Sequence, residues 1–322
     1  MEKKLFMGVC HPRQRFDLMK QAGVEWLRVD APFPFSEKIG NVSESFVSFA
    51  QQLRDWGRQG FKVMGVTPYP RGWKVDVGEP GSPKFLDAYE EACRFMADEL
   101  AEVVLGWQIC NELNLEMFRH PLTEQQAIDY AKRGGAGAKM GNPDALVGVN
   151  MAGFGESALR MYAELYPNDA IEFDYVGTDG YFGSWEAGGP DNWHEKLALL
   201  HDRTKKPIIV QEFGYSSSGE VMTEEEKAKQ SNPHQLKKWR YGWRQGHTPQ
   251  VQAEYLEQAY QIFIDTPTVI GAIWYCWSDH ERCWQCGAPD CPCETAWGLV
   301  DLQENPKPAY HAFARVAKKL TS

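Results

Sequence analysis

The feature that most constrains this chain is an alternation repeated eight times. Short apolar, β-branched runs give way to amphipathic stretches and then return. The candidate strands are Leu5–Cys10, Trp26–Ala31, Lys62–Thr67, Val104–Cys110, Leu146–Met151, Tyr175–Tyr181, Pro207–Phe213 and Val269–Trp277. The clearest helical patterns cover Glu44–Arg58, Lys84–Leu100, Glu124–Met140, Trp193–Arg203, Pro249–Thr266 and Pro308–Leu320. Phe46, Phe49, Ala50, Leu53 and Trp56 recur at spacings of three or four, as a helix laid on a sheet requires. Near-continuous apolar runs such as Ile208-Ile209-Val210 suit a parallel sheet covered on both faces.

Strand–helix alternation implies right-handed βαβ units, and eight of them imply closure into a barrel. An open doubly wound sheet is the alternative. It usually has fewer units, and no glycine-rich phosphate turn follows the first strand. The 322 residues suit one α/β barrel, which needs ~250 plus loop insertions. No linker or low-complexity tract interrupts them. The expected architecture is therefore a single (β/α)8 TIM barrel spanning 1–322, with long loops at 216–247 and 278–305, after strands 7 and 8. Both loops leave the C-terminal ends of strands, the face on which barrels carry their active sites.

A net charge of −10 argues against nucleic acid, whose binding calls for a basic patch. No run approaches the ~18 apolar residues of a membrane span. Lys3 and Lys4 precede an apolar run that is too short for a secretory leader, and no small-residue cleavage site follows. A cytoplasmic address is the expectation. Within the first long loop, Lys237–Arg244 interleaves cations with aromatics, which suits a sugar-binding lid, a contact between copies in a homo-oligomer, or a plain cover over the barrel rim.

Two glutamates stand out. The fourth strand ends in Asn111-Glu112 and the seventh in Glu212. Strands 4 and 7 lie on opposite sides of an eight-stranded barrel, so residues at their ends face each other across its mouth. A pair of carboxyls is what glycoside hydrolysis requires. One donates a proton to the leaving oxygen, and the other attacks the anomeric carbon or activates water.

Asn-Glu ending strand 4, with Glu ending strand 7, resembles clan A of the retaining glycoside hydrolases, and the resemblance runs over nearly the whole chain. It implies that Glu112 is the acid/base, that Glu212 is the nucleophile and that Asn111 binds the sugar 2-hydroxyl. Arg28, in WLRVDAP, resembles the clan arginine that steadies the nucleophile. Tyr181 resembles the tyrosine that hydrogen-bonds it, and Trp277 the tryptophan flooring the reacting subsite. Many family 5 members carry His-x-Tyr on strand 6, where this chain has Asp179-Gly180-Tyr181. The stretches FDYVGTDGYF and IIVQEFGYSS resemble the family 113 β-mannanases more closely. The implied substrate is a carbohydrate, a β-mannoside or β-glucoside, and catalysis needs no cofactor. His11, Tyr69, Trp107, Trp185 and His280 also lie at or near strand ends, where each would serve either as a sugar contact or as ordinary packing.

Cys283, Cys286, Cys291 and Cys293 fall within eleven residues of the second long loop. The first two have the C-x2-C spacing that lets two thiolates share a tetrahedral ion. Structural zinc held by all four is the expectation, with two disulfides or free thiols as alternatives. Cys10, Cys93, Cys110 and Cys276 lie in strands or a helix and read as small buried hydrophobes. Two other functions compete with a glycosidase. A non-catalytic carbohydrate-binding barrel typically lacks one carboxyl, and both are present here. A zinc-dependent hydrolase needs an open coordination site, for which the eight scattered histidines offer no ligand pattern.

Overall fold

The computed structural model describes residues 5–167 and 173–321, so Lys3 and Lys4 lie outside it. Eight strands form the barrel: β1 (Phe6–Cys10), β2 (Trp26–Asp30), β3 (Lys62–Val66), β4 (Val104–Gln108), β5 (Leu146–Val149), β6 (Tyr175–Gly180), β7 (Ile208–Phe213) and β8 (Val269–Trp274). They close in the ring order β1-β8-β7-β6-β5-β4-β3-β2. The paired strands run parallel, with β2 against β3 from Trp26↔Lys62 to Asp30↔Val66 and β1 against β8 from Phe6↔Gly271 to Val9↔Trp274.

Eight principal helices accompany them: α1 (Phe16–Ala22), α2 (Glu44–Arg58), α3 (Pro83–Glu99), α4 (Glu124–Gly141), α5 (Glu156–Leu165), α6 (Asn192–Thr204), α7 (Pro249–Asp265) and α8 (Pro308–Thr321). Starts are clear where a side chain caps. Ser43 and Ser82 accept from Phe46 and Phe85, and Thr123 with Gln126 makes a capping box. The sequence pattern misses α1 and α5. Both are short, and neither has a side-chain cap hydrogen bond at its N-cap, Arg15 or Gly155.

Six of the strands also stop sooner than the expected runs, while β1 and β7 end at Cys10 and Phe213 as expected. β4 ends at Gln108 because Cys110 turns to φ 55°, and its N–H goes to Thr67 Oγ1 at 2.7 Å. Among the described residues no helix is long and apolar enough to cross a membrane.

The chain divides into two compact units. One comprises the described residues within Met1–Glu25, Gly180–Ala198 and Glu212–Ser322; the other comprises those within Trp26–Asp179 and Leu199–Gln211. In the second unit α3 and α4 pack with backbones nearly touching. A Cβ at Gly137 would lie 2.2 Å from the Glu90 carbonyl oxygen, and one at Gly141 would lie 2.1 Å from that of Arg94. Trp107 is core, filling the space over Gly65. In the first unit Phe213 packs edge-on against Tyr260, Phe263 and Trp274, which roots the end of β7 in a rigid aromatic cluster.

Candidate active site

The unit that holds β4 carries a buried polar network at the strand ends. Arg28, 2% exposed on β2, donates from Nε to Gln108 Oε1 at 2.8 Å and from Nη2 to Asn111 Oδ1 at 2.7 Å. Gln108 Nε2 reaches the same Asn111 oxygen at 3.0 Å, and Asn150 Nδ2 reaches it at 2.9 Å. Three donors thus converge on one carbonyl. They fix the Asn111 side chain and leave its amide N–H groups to donate elsewhere. Asn150 Nδ2 also donates to Asp179 Oδ2 at 2.5 Å, and its Oδ1 accepts the Glu112 N–H at 3.1 Å.

Glu112 has φ 45° and is 9% exposed. A non-glycine residue in the left-handed region costs about 1–3 kcal/mol and persists where its surroundings over-determine it, commonly at functional sites. Here the Asn150 bond to its N–H and the Leu115 N–H bond to its carbonyl, at 2.8 Å, both act on that backbone. Tyr69, in the same unit, stacks on Phe118 with Arg71 over its ring.

The other unit carries Glu212, 8% exposed at the end of β7. The Tyr181 hydroxyl donates to its Oε2. A hydrogen bond to an ionised acceptor is among the stronger ones, and it aims the carboxylate as well as holding it. Tyr181 also meets Tyr275 edge-on at 6.0 Å between ring centroids and Trp297 at 5.1 Å. Burial first, and then neighbouring groups that include Glu294 and Glu212, hold the Tyr275 hydroxyl well above its ordinary pKa, so it stays protonated. His11 stands edge-on to Tyr275 at 5.6 Å and 6.2 Å from the His280 ring.

Trp277 does not join this group. Its indole is fully buried, donates to Glu304 Oε1 at 3.0 Å and meets Tyr310 of α8. β8 ends at Trp274, so alternation no longer decides which way the next residues point. Of the residues that follow β8, Tyr275 is the one whose ring meets Tyr181.

A third carboxyl, Glu294, is 5% exposed and accepts from Gln285 Nε2 at 2.8 Å. Burial, with the Glu212 charge adding to it, pushes its pKa up to about 7, against the pull of Gln285 and Trp284. Nothing in the spacing of the sequence singles Glu294 out, whereas Asn150 could have been found as the polar residue ending the apolar run LVGVN.

The cysteine loop differs from expectation. His234, Cys283, Cys286 and Cys291 bring one ligand atom each to within 4.8 Å of one another. The Cys293 thiol is not in that group; it points to the Lys238 carbonyl oxygen at 3.9 Å and lies on a short helix, Pro292–Thr295. Trp185, in the same unit, packs on His234 and Trp239. In the Lys237–Arg244 stretch Trp239 is fully buried and Arg244 lies over Trp243.

No family model matches the chain, and no curated protein does. Solved structures share its fold. The chain is similar to GH5_18 from Streptomyces cattleya, solved in complex with GlcNAc, with a TM-score of 0.71 and 16% identity over 100% of this chain and 82% of that one. It is similar to the GH53 catalytic domain of Ignisphaera aggregans, with a TM-score of 0.68 and 18% identity over 98% and 97% of the two chains. A family 39 glycoside hydrolase from Bacteroides cellulosilyticus WH2 gives a TM-score of 0.66 and 19% identity over 98% of this chain; the chain spans 64% of that protein, less than two thirds of its length. At such identities the likeness establishes the closed eight-stranded barrel.

Proposed function

We propose that the whole chain acts as one catalytic domain, a retaining β-glycoside hydrolase of the clan A type. What carries the reading is Glu212, a nearly buried carboxylate at the C-terminal end of a barrel strand, bonded by the Tyr181 hydroxyl in an aromatic setting. Glu112 supplies the second carboxyl from the end of β4. The likeness to glycoside hydrolases of families 5, 39 and 53 supports the same class.

In the first step the Glu112 carboxyl gives its proton to the glycosidic oxygen. Glu212 attacks the anomeric carbon, and the bond to the leaving group breaks. In the second step Glu112, now a carboxylate, takes a proton from water. That water attacks the anomeric carbon and releases Glu212. Retention requires carboxyls ~5–5.5 Å apart. Asn111 donates from its amide nitrogen to the sugar 2-hydroxyl, and Arg28 acts by fixing Asn111. Tyr275 and Trp297 take the flooring role expected of Trp277, while His11, His280 and Tyr69 extend the sugar contacts. The sugar proposed is a β-mannoside or β-glucoside, met as an oligosaccharide in the cytoplasm.

The test is to incubate the protein with a panel of activated 2-deoxy-2-fluoro-β-glycosides and map the modified peptide. The fluorine slows release of the glycosyl-enzyme more than its formation, so one sugar should remain attached to Glu212. Labelling at another residue, or none from any sugar, would defeat the assignment.

A further inference from the structure

We propose that His234, Cys283, Cys286 and Cys291 bind one zinc ion that ties the loop after β7 to the loop after β8. The site stands independently of the glycosidase reading. His234 Nδ1 lies 3.4 Å from both Cys283 Sγ and Cys291 Sγ. A tetrahedral ion with Zn–S ~2.3 Å and Zn–N ~2.0–2.1 Å places its nitrogen and sulfur ligands ~3.6 Å apart. The four atoms therefore already stand near the corners of such a site, and closure requires only small side-chain shifts.

The backbone around the thiols fits as well. Gly287, at φ 76°, turns the chain so that its N–H bonds the Cys283 carbonyl at 2.7 Å, while the Cys283 N–H bonds that of Ala288 at 2.9 Å. Gln285, in the same loop, bonds the buried Glu294 carboxyl at 2.8 Å. Thiolate and imidazole together select zinc over oxygen-seeking cations, and four protein ligands leave no open position, so the role is structural.

That role has a direction. His234 comes from the first long loop and the three cysteines from the second. Just beyond Cys291, the Cys293 carbonyl accepts the Trp297 indole N–H at 2.8 Å. The Trp297 ring meets Tyr181, so an ion here anchors the segment that holds that ring.

The experiment measures bound metal by mass spectrometry of the full-length protein, purified under reducing conditions and re-equilibrated with zinc against a chromogenic chelator. Free thiols and Tm are recorded with and without chelation. The wild type should hold one zinc per chain, gain three reactive thiols on chelation and lose several degrees of Tm. His234→Ala and the exposed Cys286→Ser should each lower zinc retention at least tenfold, with an unchanged circular dichroism spectrum. Cys293→Ser should keep one zinc. Zinc uptake below one tenth per chain by the wild type would overturn the proposal. So would thiols lost to disulfides in the reduced and re-equilibrated protein, or zinc lost from Cys293→Ser and kept by His234→Ala.

Discussion

The weight of the account at the residue scale rests on single hydrogen bonds to carboxylates. Removing the Tyr181 hydroxyl deletes a bond to a charged acceptor, worth about 1.5–3 kcal/mol. Tyr181→Phe should therefore lower kcat by roughly 10- to 100-fold and move KM much less, as steady-state kinetics on the best substrate would show. An unchanged kcat would mean that the bond does not matter to the reaction. Glu294 supports a prediction about pH. Burial favours its neutral form in the fold, while the unfolded chain gives up the proton near 4.5. Between about 4.5 and about 7 the native state thus binds more protons, and stability falls as pH rises, by at most about 1.4 kcal/mol per pH unit. Chemical denaturation at pH 5, 6 and 7 should show this slope in the wild type and a shallower one in Glu294→Gln. Equal slopes would contradict it. At this scale the sequence discloses chemistry better than direction. Glu112, Glu212, Asn111 and Tyr181 sit at strand ends and can be named from pattern and resemblance. Trp277 was misplaced because the side-chain alternation that would orient it ends with β8. His234 could not be seen to meet Cys283, 49 residues further along, because no local rule joins them.

The glycines of α4 decide a sign at the element scale. Gly137→Ala should gain about 1 kcal/mol of helix propensity. Its new Cβ would, however, sit 2.2 Å from a backbone oxygen of α3, which cannot rotate aside as a side chain would. Overpacking costs of about 1–3 kcal/mol should win, and Tm should fall by a few degrees. A rise in Tm on thermal melting would show that the helices can separate cheaply. Strands and helices were legible because the periods of apolar residues differ between them, and caps such as Ser43 and Ser82 mark helix starts. α1 and α5 were not, for want of length and of a side-chain cap. The glycines of α4 have their reason in α3, whose backbone lies against them.

On the scale of the whole molecule, an alternation of eight strand–helix units closes into a barrel, a fold whose active sites lie at the C-terminal ends of the strands. One unit of the chain holds Glu112 beside the Asn111–Asn150 network, and the other holds Glu212 bonded by the Tyr181 hydroxyl. The central claim is that the two work as a pair through a covalent step on Glu212. The most direct measurement is sugar release from β-linked glucans, mannans, galactans, xylans and their oligosaccharides, with Glu212→Gln assayed beside the wild type and the first-formed anomer followed by proton NMR. The account predicts release by the wild type with the β-anomer appearing first, and a loss of at least about a thousandfold in Glu212→Gln, on the scale of removing a catalytic nucleophile. Release that survives the substitution, an α-anomer formed first, or binding of these sugars without any turnover would contradict it.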